Sequence, residues 1–96
     1  MPKGYWIASV EVTDAEQYKH YASAAPAAIA DHGGKFLARA GAHEQLEGEG
    51  RPRNVVIEFP SLEAARACFN SPEYQDARAK RLGAGHASIV IVEGVE

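Results

Sequence analysis

The chain carries a single cysteine, Cys68, so no internal disulfide can staple it. A lone thiol fits a reducing compartment, and a cytoplasmic location is the expectation. Long apolar runs are missing: nothing approaches the ~20 residues that cross a bilayer as a helix, so no membrane association is expected. After Met1-Pro2-Lys3-Gly4 the chain passes straight into a strand-like run, which argues against a signal peptide. Charge of one sign is scarce as well. Ten Lys and Arg against 13 Asp and Glu leave a formal −3, with no basic excess to attract nucleic acid or an anionic membrane. The four histidines show no HxxxH-type spacing, and no carboxylate is placed to complete a ligand set, so neither a metal nor another cofactor is expected. A GxSxG elbow and a Walker-type loop are both absent.

What is present is an ordinary globular composition, 46% apolar and 24% charged, with length for one domain over 1–96. Tyr5 to Val12, YWIASVEV, is aromatic and β-branched and predicts a first strand. Thr13 with Glu16 three residues on forms a capping-box pattern. A helix follows, with Tyr18, Tyr21, Ala22, Ala25 and Ile29 on one stripe and Gly33-Gly34 as its stop. Pro26 inside that helix predicts a kink or break near Ala25. Lys35 to about Leu46 and Asn54 to Pro60 read as the second and third strands, joined by the polar turn GEGRPR. Ser61 caps a second helix, which Ser71-Pro72-Glu73 restarts and Gly83-Ala84-Gly85 ends. His86 to Glu93 is the last strand. The order β-α-β-β-α-β predicts the ferredoxin-like α+β fold: a four-stranded, mostly antiparallel sheet with its helices on one face.

Glu58 sits in the middle of the otherwise apolar run NVVIEFPS. A hairpin symmetric about Gly48–Glu49 would set Arg39 opposite Glu58 and His43 opposite Asn54, all on one face. Phe36, Ala38, Ala40 and Ala42 would then join Val55, Ile57 and Phe59 on the other face, under the helices. The last strand, SIVIV, is apolar on both faces, and the chain has nothing left to cover the second. A second copy, packed sheet to sheet about a two-fold axis, is the expected cover. Glu58 would then lie between the sheets, with Arg39 as its partner.

Several segments resemble the bacterial family catalogued as domain of unknown function 1330, within the dimeric α+β barrel superfamily. They are YWI at 5–7, the 14–21 segment with its YKHY, HGGKFLAR at 32–39, LEG at 46–48, IEFPS at 57–61, SPEYQ at 71–75, Arg81 and VEG at 92–94. Gly41-Ala42 after Arg39-Ala40 departs from the closely spaced glycine pair expected there. The resemblance implies a ferredoxin-like subunit that pairs into a barrel, and it implies no settled activity. Relatives by fold include cofactor-free monooxygenases, haem-degrading enzymes, isomerases and ligand-binding regulators, and fold cannot choose among them.

Two readings stay open. In the first, a homodimer binds a small aromatic or carbonyl-bearing metabolite in a cavity between its sheets and performs cofactor-independent acid/base or oxygenase chemistry. Arg39 would orient an anionic group, with Glu58 and His32 as acid/base candidates, because histidine titrates near neutrality. Trp6, His43, Tyr74 and Arg81 would contact the substrate. In the second, the dimer is a non-catalytic module: Arg39 and Glu58 form an internal ion pair, His32 caps its helix, and Trp6 and the tyrosines fill the core and the dimer seam.

Overall fold

Alternation along the first strand decides which side of the sheet is inside. In the computed structural model, which describes residues 2–95, β1 (Gly4–Val12) buries Gly4, Trp6, Ala8 and Val10 and turns the residues between them outward. The chain continues through α1 (Ala15–Asp31), β2 (Lys35–Arg39), β3 (Arg53–Phe59), α2 (Leu62–Asn70), α3 (Pro72–Arg81) and β4 (Gly85–Glu93). The strands lie in the order β2-β3-β1-β4, every neighbouring pair antiparallel, which is the ferredoxin-like arrangement. No helix among the described residues is long and apolar enough to cross a membrane.

The core fills the space between this sheet and all three helices. Trp6, Ala8, Val55, Ile57 and Phe59 meet Ala25, Ala28 and Ile29 of α1, Ala65 and Cys68 of α2, and Tyr74 and Ala77 of α3. Trp6 is its centre. Its indole N–H donates to the Ala65 carbonyl at 2.8 Å, and its ring packs against Phe59 and, edge-on, Tyr74. A buried indole thereby keeps its one donor satisfied while burying its full apolar area.

The helix ends mostly follow the sequence. Ser61 caps α2 through a bond from the Ala64 N–H, and Ser71 caps α3 through one from the Tyr74 N–H, with Pro72 following. Gly33, at φ +78, stops α1. Two details of α1 differ from the reading. Asp14, not Thr13, is the N-cap, accepting from Gln17, while the N–H groups of Thr13 and Asp14 both bind the Ala84 carbonyl. Pro26 does not break the helix, which runs unbroken from Ala15 to Asp31. The carbonyl that a proline leaves without its helical donor, that of Ala22, accepts instead from Arg39 Nη2 at 3.2 Å.

The hairpin register is the main correction. β2 ends at Arg39 rather than near Leu46, and 40–52 is an exposed connection with no strand of its own. Lys35 pairs with Glu58 and Phe36 with Ile57; a bulge at Leu37 then sets Ala38 opposite Val56 and Arg39 opposite Val55. Without that extra residue Arg39 would fall beside Asn54 on the outer face. With it, Arg39 turns to the helix side and Ala38 turns out, since a one-residue slip exchanges faces. Arg39 and Glu58 therefore form no ion pair. Lys3 is the partner of Glu58, at 3.1 Å, and Tyr5 Oη lies 3.5 Å from it. Ala40 leaves the strand at φ 55, a left-handed conformation that suits glycine better, at the place where the glycine pair was expected.

The outer face is divided. In register across the strands run Val92, Tyr5, Glu58 and Lys35, and next to them Val90, Ile7, Val56 and Ala38. Ile7, Val90 and Val92 are 46%, 55% and 42% exposed. Toward the opposite end the residues turn polar: Ser9 stands between Asn54 and Ser88, and Glu11 pairs with His86. Arg51 folds back over this end, its backbone N–H to Ser9 Oγ and its guanidinium to Ser88 Oγ.

Candidate cleft between the sheet and helix α1

Below the helices the core is incomplete. A slot opens between the inner sheet face and α1, with a cavity of about 40 Å³. Its walls are apolar: Trp6, Ala8, Val10, Val55, Ile57 and Ile89 from the sheet, and Ala22, Ala25, Pro26 and Ile29 from α1. Phe36, Tyr18 and Tyr21 complete them, and three arginines, Arg39, Arg53 and Arg81, supply the charge.

Each arginine reaches the slot for a separate reason. Arg39 arrives through the Leu37 bulge and is held by the carbonyl that Pro26 frees, its guanidinium 4.6 Å from the Phe36 ring centroid. Arg53 precedes Val55, Ile57 and Phe59 by the strand period of two and so shares their inward face. Its guanidinium covers Tyr18 at 5.2 Å. Arg81 ends α3, 8% exposed, and lies 5.1 Å over Tyr21. Arg39 is exposed, Arg53 half-buried and Arg81 buried, so the charges grade from rim to depth.

Tyr21 and Tyr74 join hydroxyl to hydroxyl at 2.8 Å. Burial pushes both phenols above their ordinary value of 10; the neighbouring Arg81 charge pulls the other way without winning. Both stay neutral donors at physiological pH. Either hydroxyl can donate in this bond, and the fully buried Tyr74 has its partner in Tyr21.

Of the residues expected to form a site, Trp6, Arg39 and Arg81 line the slot, and Tyr74 stands behind it through Tyr21. Glu58 lies on the opposite face of the sheet. His43 sits in the exposed connection, not on a strand opposite Asn54, with Nδ1 3.3 Å from its near neighbour Gly41 O. His32 is the C-cap of α1, its Nδ1 2.9 Å from the Ala28 carbonyl, and is not part of the lining. The cleft thus lies inside one chain, on the helix side of the sheet, and not on the side expected. Arg53 was missed, although the same alternation that buries Val55 and Ile57 points to it.

Matching the sequence against family models gives the domain of unknown function DUF1330 over residues 3–95. The chain belongs to this family. No curated protein sequence matches it. Among solved structures, the DUF1330 chain is similar to RPA0582, a protein of unknown function from Rhodopseudomonas palustris, at TM-score 0.80 and 18% identity, covering 99% of this chain and 84% of that one. SnoaB from Streptomyces nogalater, a cofactor-independent oxygenase, matches at TM-score 0.66 and 12% identity over 100% of this chain and 96% of its own. A dimeric ferredoxin-like protein of unknown function from Bacteroides fragilis matches at 0.64 and 14%, with 95% of each chain covered. At these identities the likeness establishes the fold.

Proposed function

We propose that this DUF1330 domain is a cytoplasmic homodimer that binds a small, flat metabolite, aromatic or carbonyl-bearing, in a cleft within each chain. The observation that carries the reading is the slot itself: apolar and aromatic walls with a few convergent polar groups, the usual build of a small-molecule site. The dimer follows from Ile7, Val90 and Val92, which lie side by side and in the open on the outer face. Such a patch marks an interaction surface, and a second copy covers it most simply. The dimeric proteins among its structural neighbours support this.

Binding is the favoured reading over catalysis because the lining among the described residues holds no carboxylate and no histidine. A base poised near neutrality would have to come from the ligand itself. A cofactor-independent oxygenation is the second reading, favoured by Tyr21 among the lining residues and by the likeness to SnoaB. Native mass spectrometry of the purified protein tests the first reading: a dimer mass with a retained small molecule is the expected result. A monomer sinks the dimer. Oxygen uptake on adding the released molecule back would move the conclusion to the oxygenase.

A further inference from the structure

We propose that the occupant of the cleft is a planar carboxylic acid in its anionic form, and that Arg81 and Arg53 read its charge; the inference rests on the cleft being a ligand site. Three guanidinium groups line one apolar slot, and none has a carboxylate partner among the described residues. Nothing in the chain's overall balance requires this, since its formal charge is −3. Holding like charges together in an apolar wall is unfavourable unless something negative joins them.

The way the arginines are held points to the same ligand. The guanidinium carbons of Arg53 and Arg81 lie 5.2 and 5.1 Å from the Tyr18 and Tyr21 ring centroids, cation–π contacts that give their N–H donors no acceptor oxygen. The Nε atoms of Arg53 and Arg81 are buried and have no acceptor among the described residues. Arg81 is only 8% exposed, so its orphaned donor cannot be set aside as a surface group. A carboxylate is the acceptor that takes two parallel N–H bonds from one guanidinium. Tyr18 and Tyr21, with centroids 5.4 Å apart, join the two arginine sites into one wall. An aromatic acid would lay its ring against Ala22, Ala25 and Ile57 and its carboxylate at the arginine end.

The test uses naphthoate and its neutral counterpart naphthalenemethanol, titrated calorimetrically into the full-length protein. Naphthoate should bind about 10-fold or more tightly than the alcohol, the margin of a charge-assisted bidentate pair. Added salt should weaken naphthoate and leave the alcohol alone. Arg81→Met and Arg53→Met should each lower naphthoate affinity by on the order of 10-fold while sparing the alcohol. Arg39→Met, at the exposed rim, should do less. The salt comparison needs only the wild-type protein, so it decides the matter even where a buried variant fails to fold. Equal binding of both probes, insensitive to salt, would overturn the anion and leave the cleft standing as a neutral site. Binding of neither would overturn the cleft reading along with it.

Discussion

The two faces of the sheet are made from alternate residues of the same strands, yet they come to different ends. The inner face is finished by the chain itself: Trp6, Ile57 and Phe59 lie buried under three helices, and what space remains becomes the cleft. The outer face is half finished. Its polar end is closed by Arg51, which reaches Ser9 and Ser88, while Ile7, Val90 and Val92 stay in the open. The contrast teaches that one face carries the stability of the subunit and the other is left open for the proposed dimer contact. Five substitutions or conditions would break or sharpen that division.

The largest effect belongs to the inner face. Trp6→Ala removes the central ring and its bond to the Ala65 carbonyl, and should cost about 3–5 kcal/mol in urea unfolding. A loss under about 1 kcal/mol would mean that the inner face is not where the stability resides. Val90→Lys on the outer face should leave the fold intact but raise the dimer dissociation constant on the order of 100-fold, as a charge is forced into an apolar contact. Sedimentation velocity at several concentrations reads this, and an unchanged profile would place the interface elsewhere. Third is Tyr21→Phe, which strands the buried Tyr74 hydroxyl and should cost about 1–3 kcal/mol. Adding Tyr74→Phe should recover part of the loss, because two phenyl rings leave no polar group unpaired.

Alkaline pH separates the faces differently, since the raised titrations all lie inside. Burial pushes the Cys68 thiol from 9.0 up to about 12. The folded state then keeps a proton that the unfolded chain gives up, so stability should fall as pH rises from about 9 toward 12, with roughly 1 kcal/mol lost by about pH 10. The raised phenols of Tyr21 and Tyr74 add to the fall in the same direction above their ordinary value. Cys68→Ala should flatten the first part of that decline, and an identical slope would show that the thiol ionises freely in the fold. The smallest effect is that of Pro26→Ala, which lets residue 26 donate to Ala22 again. Stability should rise by about 0.5–1 kcal/mol while Arg39 loses its anchor and binding at the cleft rim weakens.

Legibility in the sequence followed the physics of each feature. The alternating strands, the caps at Ser61 and Ser71 and the stop at Gly33 depend on a few neighbouring residues, and the structure carries them as read. The double apolar pattern of β4 likewise announced the bare outer face. Arg53 is equally readable, since it shares the strand parity of Val55 and Ile57. The pairing of Arg39 with Glu58 failed for another reason. It assumed a regular hairpin, and a single extra residue at Leu37 reverses which face every later side chain of β2 takes.

The sequence by itself determined the order of elements, the inward stripe of each strand and helix, and the presence of more apolar surface than the helices could hide. All of these follow from local periodicity and from amounts of apolar area. Only the tertiary structure decided that Arg39 faces the helices, that the carbonyl freed by Pro26 holds it there, and that Arg53 and Arg81 meet it around one slot. Those facts depend on register and on packing between residues far apart in the chain, where an offset of one position changes the face and no local preference fixes the offset.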